Sequence, residues 1–169
     1  MRCIAESHPS VISSPLPGPP PIVLREFEPR DLEPIAAIVE EALHERYEPA
    51  LYMSLSDPWR DGFLVAADPS GRPAGFLLGV SQVENEGRVL MFAVHRDWRS
   101  QGVGSILMEE FLRRTRARGL HRATLEVRVS NAGAIRFYSR YGFSVIDLLR
   151  GYYSDGENGY QMARDLPPG

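Results

Sequence analysis

The chain has 169 residues, 43% of them hydrophobic, which suits one globular domain with a full core. A formal net charge of −3 argues against a general binder of nucleic-acid phosphates, and no apolar run approaches the roughly 18 residues of a membrane span. The start lacks the basic and apolar stretches of a secretory signal, and the single cysteine, Cys3, rules out an internal disulfide and points to a reducing compartment, the cytoplasm.

Residues 1–21 are rich in Pro and Ser and have no periodicity. Pro15, Pro17, Pro19, Pro20 and Pro21 forbid a regular ladder, so a disordered arm is expected, or an extended segment lying on the domain or on a second subunit. One domain then spans 22–169. Ile22–Phe27 reads as a strand, and Asp31 can cap a helix whose apolar positions are Leu32, Ile35, Ile38 and Val39. The irregular region Leu43–Asp61 holds a short helix around Ala50–Leu55. Gly62–Ala67 and Ala74–Val83 read as strands joined by the turn Asp68-Pro69-Ser70-Gly71, and Arg88–Val94 as a further strand. Gly104–Arg118 is the clearest helix, with Val103, Leu107, Met108, Phe111, Leu112 and Thr115 in one stripe and Gly119 as its stop. His121–Val129 alternates: Ala123, Leu125, Val127 and Val129 point one way, Thr124, Glu126 and Arg128 the other. Ala132–Tyr141 is a helix capped by Ser130 or Asn131 and ended by Gly142. Phe143–Leu149 and Tyr160–Arg164 are the last strands. The pattern is a mixed α/β sandwich around one sheet.

The informative stretch is Val94-His95-Arg96-Asp97-Trp98-Arg99-Ser100-Gln101-Gly102-Val103-Gly104-Ser105. It joins a buried strand to the start of the best helix, where free backbone N–H groups and the positive end of the helix dipole gather. Gly102 and Gly104 let that backbone approach a bulky anion, and Arg99 adds positive charge. The ligand implied is a phosphate or pyrophosphate. Glycine spacing alone supports equally a strand-to-helix turn that needs glycine for its geometry. A Walker loop is excluded because no Gly-Lys-Ser/Thr follows, and the dinucleotide fingerprint lacks its third glycine.

Arg99-x-x-Gly102-x-Gly104 resembles the coenzyme A signature of the GNAT acetyltransferases. Leu125-Glu126-Val127-Arg128-Val129-Ser130-Asn131-Ala132, followed by Phe137-Tyr138-x-x-Tyr141-Gly142-Phe143, resembles the RimI branch. Gly151-Tyr152-Tyr153-Ser154-Asp155-Gly156-Glu157-Asn158 with Met162 is similar to the final hairpin of RimI-like and archaeal protein N-terminal acetyltransferases. The resemblance runs from Ile22 to Leu166. It implies an α/β GNAT fold: a mixed, mostly antiparallel sheet of about seven strands, splayed in the middle and flanked by about four helices. It implies acetyl-CoA as cofactor, bound by Arg99, Ser100, Gln101, Gly102, Val103, Gly104 and Ser105. Phe92, Ala93 and Val94 would supply backbone contacts to the pantetheine arm, with the Val94 N–H facing the thioester carbonyl. Asn131 would hydrogen-bond the coenzyme.

Acetyl transfer to an amine requires the amine to lose a proton, the oxyanion to be stabilised and the thiolate to be protonated. Glu126 is the candidate proton acceptor, directly or through water. Strand alternation by itself makes it a solvated carboxylate; the Leu-Glu-Val-Arg resemblance assigns it the role. Tyr138 is the candidate acid and a coenzyme contact. A phenol titrates near pH ~10 and a thiol near ~8.5, so the hydroxyl is protonated at neutral pH. Without the motif it reads as a core tyrosine.

At pH 7 roughly a tenth of a free α-amine is neutral, against roughly one in a few thousand lysine amines, which suits an α-amine acceptor. Leu43-x-Glu45-x-Tyr47 resembles the peptide entrance of N-terminal acetyltransferases, and Tyr152 and Tyr153 match the hairpin tyrosines that hold the peptide backbone. Glu45 reads equally as a surface glutamate at a helix end. Some relatives carry a second acid or base on the strand before the cradle; here Leu90, Met91 and Phe92 are apolar. The expected partner is a protein or peptide N-terminus, met at the ribosome, with no nucleic acid, membrane or metal, and a monomeric or homodimeric chain. The alternatives are an acetyltransferase of a small amine and a non-catalytic acyl-CoA sensor.

Overall fold

The structure is a computed structural model that describes residues 21–56 and 58–168. The expected arm, apart from Pro21, lies outside the described residues. Seven strands form one sheet: β1 (Val23–Glu26), β2 (Phe63–Ala67), β3 (Pro73–Val80), β4 (Glu86–Val94), β5 (Arg122–Arg128), β6 (Ser144–Leu149) and β7 (Gly159–Asp165). Their order is β1-β2-β3-β4-β5-β7-β6, and β4–β5 is the parallel pair while the others are antiparallel. Four α-helices flank it: α1 (Leu32–Leu43), α2 (Pro49–Ser56), α3 (Val103–Ala117) and α4 (Ala132–Arg140). This is the mixed, mostly antiparallel sheet of seven strands flanked by four helices anticipated from the sequence, with element ends displaced by a few residues.

Two cores sandwich the sheet. β2 and β3 are buried at every residue, which is why they read as apolar runs rather than alternations. On one face the α3 stripe of Val103, Leu107, Met108, Phe111 and Leu112 packs with Leu64, Leu77 and Leu125. On the other, Ile35, Ile38 and Val39 of α1 and Tyr52 of α2 pack with Val65, Phe76, Leu78 and Met91. Gly79 lets α3 approach, because a Cβ there would lie 2.5 Å from a ring carbon of fully buried Phe111. Gly79→Ala should therefore cost about 1–3 kcal/mol through overpacking, read as a lower Tm in a thermal melt.

Asp31 differs from its expected role. Its side chain makes no cap bond to α1. Instead the buried carboxylate accepts from both terminal nitrogens of Arg25, at 2.6 and 2.8 Å, and from the Glu28 N–H at 2.8 Å. A bidentate guanidinium is the stronger partner for a carboxylate removed from water. At α4, Asn131 rather than Ser130 is the cap, accepting from the Ala134 N–H at 3.1 Å.

The feature that positions the site is where β4 and β5 part. They pair only from Glu86↔Arg122 to Val89↔Leu125. Beyond that, β4 runs on to Val94 and β5 to Arg128 without pairing each other. A register shift against β3 at Leu78/Gly79 accompanies the divergence, as a bulge that bends a strand would.

Candidate active site

The gap between β4 and β5 exposes backbone donors. The His95 N–H donates to Ala74 O across β3–β4 at 2.8 Å, and the register from Gly75↔Val94 to Leu78↔Met91 is unbroken. Alternation along an antiparallel strand then turns the Ala93 backbone towards β3 and those of Phe92 and Val94 towards the gap. Of the three residues expected to contact a pantetheine arm through their backbones, two present them to the gap and Ala93 does not.

The cradle opens at the same end of β4. Ser100 and Gly102 take left-handed conformations, φ 60° and 84°, and bring the chain sharply into α3. Gly102 is the N-cap and supplies no side-chain acceptor; the first helical bond runs from the Ile106 N–H to Gly102 O. The N–H groups of Val103, Gly104 and Ser105 are thus left for an outside acceptor, at the positive end of a 15-residue helix. A Cβ on Gly102 would meet nothing within 4 Å, and one on Gly104 would touch the Phe92 ring at 3.4 Å. This set fits the pyrophosphate of a coenzyme. Gln101 donates from its side chain to Asp97 O at 2.8 Å and so ties the loop to itself. Arg99 is engaged elsewhere: Nε donates to Val94 O at 3.0 Å and Nη2 to Glu41 of α1 at 2.7 Å. The Asn131 side-chain oxygen is used by its cap, which leaves the amide N–H groups to meet a ligand.

Tyr138 of α4 lies behind the gap, 9% exposed, its ring 6.3 Å from Phe92, 5.6 Å from Phe137 and 6.1 Å from Phe143. Burial, and then the neighbouring Tyr153 phenol, push its pKa well above that of a free tyrosine.

On the other face of the gap is a groove of about 700 Å³ walled by the α1–α2 connection, β4, β5 and the hairpin between β6 and β7. Glu45, Tyr47, Glu126, Tyr152 and Tyr153 line it together, although they span more than a hundred positions of sequence. Leu43 does not: it packs on the α1 core. The Tyr47 hydroxyl donates to the Glu45 carboxylate, and burial followed by that bond raises the Tyr47 pKa strongly.

A family model for the acetyltransferase (GNAT) family matches residues 26–143. The chain belongs to the GNAT acetyltransferase family. It is an N-acetyltransferase that uses acetyl-CoA. An N-alpha-acetyltransferase of Sulfurisphaera tokodaii is 30% identical over 155 residues, 85% of this chain and 92% of the relative. Among solved structures, Ard1 from Thermoplasma volcanium superposes with TM-score 0.83 at 40% identity, covering 86% of this chain and 98% of that one. The ribosomal-protein-S18-alanine N-acetyltransferase from Escherichia coli superposes with TM-score 0.77 at 27% identity, covering 88% and 96%.

In this acetyltransferase the hairpin is clamped. The Arg128 guanidinium sits 4.1 Å from the centre of the Tyr153 ring and bonds Asp155 and Glu157, each at 2.8 Å. Glu157 in turn accepts from the Ser130 N–H at 3.1 Å and from its hydroxyl. Gly159 leaves the room: a Cβ would lie 3.2 Å from the Tyr153 ring. Burial and then Tyr152 push the Tyr153 pKa up to about 12.

Sequence reasoning passed over Arg88. It lines the groove, and its Nε donates to Glu126 at 3.0 Å. The apolar run Leu90–Phe92 hid a charged side chain two residues earlier on the same strand. The available signal was an arginine inside a strand that otherwise reads as core.

Proposed function

We propose that this acetyltransferase modifies the N-terminal α-amine of a protein or peptide. The observation that carries the reading is the charge balance of the acceptor groove. Glu45 and Glu126 are matched by Arg46 and Arg88, and Leu51, Leu55, Leu90 and Met91 supply apolar wall between them. Such a surface suits an extended peptide of mixed side chains; a polyamine would call for an excess of acid. The names of the similar proteins support it.

Bound acetyl-CoA supplies the thioester carbonyl and the thiol leaving group. The first-turn N–H groups of α3, from Val103 to Ser105, hold the pyrophosphate, with Ser100, Gln101, Gly102 and Gly104 shaping the loop and Asn131 donating from its amide. Arg99 joins by exchanging Glu41 for phosphate. The Phe92 and Val94 backbones would hold the pantetheine along β4, and the Val94 N–H would be the donor for the thioester carbonyl oxygen. The α-amine would gain the acetyl group, and coenzyme A would leave as the thiol. Glu126 takes the amine proton through a water. Tyr138 donates its O–H to the departing sulfur. Glu45, Tyr47, Tyr152 and Tyr153 hold the first residues of the peptide. The same reading takes residues 22–169 as one catalytic domain with 1–21 as an arm, acting on substrates at the ribosome in the cytoplasm, as a monomer or homodimer.

Short peptides with free N-termini, mixed with acetyl-CoA, should release thiol and gain one acetyl group at the α-nitrogen by mass spectrometry. Turnover of a polyamine with none of any free N-terminus would overturn the reading.

A further inference from the structure

Arg88 occupies a singular position. It stands one residue before Val89, the last residue of β4 paired to β5. Its side chain is 30% exposed and that of Glu126 only 12%. Besides the 3.0 Å bond to Glu126, its Nη2 donates to the Tyr152 hydroxyl at 3.2 Å. One guanidinium therefore ties together the edge of the gap, the candidate proton acceptor and the substrate-holding hairpin.

Of the other charged or titratable groups around this pair, Glu86 on the same strand accepts from the Thr124 hydroxyl at 2.6 Å. From the α1–α2 connection, Arg46 bonds Glu40 at 2.9 Å, and Glu45 accepts from Tyr47. From β5, Arg128 is taken by Asp155 and Glu157. From the hairpin come the phenols of Tyr152 and Tyr153. Burial disfavours the Arg88 charge, but the Glu126 hydrogen bond and charge outweigh it and the guanidinium stays protonated.

We propose that Arg88 is a positioning residue: it aims Glu126 and Tyr152, and its fixed positive charge favours the neutral form of the α-amine seated beside it. The choice of α-amine rests on the N-terminal reading above. A guanidinium cannot give up its proton, so the charge of Arg88 is permanent. A cation beside the acceptor site disfavours a second cation there, and so favours the neutral amine. For an α-amine with a pKa of about 7.7–8.0, a downward shift of about one unit makes half or more of it neutral at pH 7.

The test uses the full chain as wild type, Arg88→Gln and Arg88→Lys, with folding checked by thermal melts. kcat is followed against pH with a saturating peptide that has a free N-terminus. In Arg88→Gln the limb on which activity rises with pH should move up by roughly one pH unit, and kcat at pH 7 should fall about fivefold. The KM for acetyl-CoA should be unchanged. Arg88→Lys should restore the limb, because the charge returns, but not the full kcat, because a flexible ammonium holds Glu126 and Tyr152 less rigidly than a planar guanidinium fork. A folded Arg88→Gln with an unmoved limb overturns the proposal, as does an Arg88→Lys with wild-type kcat. If wild type acetylates only a small amine, the N-terminal reading fails by itself, and the same limb comparison with that amine still decides the role of Arg88.

Discussion

Tyr138→Phe is expected to lower kcat by about 10²–10⁴-fold while the affinity for coenzyme A stays within about threefold. The ring survives the substitution. It keeps its packing against Phe92, Phe137 and Phe143, so the core and the adjoining cofactor face are retained. Only the hydroxyl is lost, and with it the proposed donor to the departing sulfur. Burial raises the Tyr138 pKa, so the proton is in place throughout the neutral and mildly alkaline range. The same burial disfavours a bare thiolate, so sulfur and phenol share that proton to mutual advantage. The measurements are kcat with saturating acetyl-CoA and the Kd of coenzyme A by calorimetry. A rate within about threefold of wild type removes Tyr138 from the mechanism, and if Glu126→Gln is equally silent, tight coenzyme binding would mark a sensor rather than an enzyme.

The second large effect is expected at the cradle. Gly102→Ala should raise the KM for acetyl-CoA at least about tenfold, with kcat near wild type once the site is saturated. Two causes combine. A residue with a Cβ is strained at φ 84°, by about 1–2 kcal/mol. The new methyl also projects into space that holds no protein atom within 4 Å, where the phosphates are proposed to lie. Gly119 at the other end of α3 separates these causes. Its φ is 78° and its Cβ would likewise meet nothing within 4 Å. Gly119→Ala should lower the Tm as much as Gly102→Ala does and leave the KM for acetyl-CoA alone. Equal KM values in the two variants would show that the cradle glycine serves the turn and not the ligand.

Much of the frame was legible locally. The six-residue stripe of α3 is buried as its spacing required, because a helix repeats its face every 3.6 residues whatever lies opposite. The alternation of β5 puts Glu126 on the groove side and Leu125 and Val127 in the core. Thr124 departs from it, buried through its bond to Glu86 at 2.6 Å. The paired glycines of the cradle and the motifs that follow were enough to identify the family. Leu43 misled because its motif neighbours, Glu45 and Tyr47, do reach the groove, while Leu43 belongs to the last turn of α1 and follows its apolar face inward.

What the sequence determined by itself was therefore each element's type, its buried face and the acetyl donor, all set by spacings of a few residues along one segment. The tertiary structure decided where β4 leaves β5, and hence that Phe92 and Val94 but not Ala93 turn their backbones to the gap. It also decided the partners: Asp31 with Arg25, Arg99 with Glu41, and Arg88 with Glu126 across 38 positions of chain. These pairs share no local pattern. They exist because strand register fixes which side chains meet, and a charged group taken from water takes the nearest group that can satisfy it.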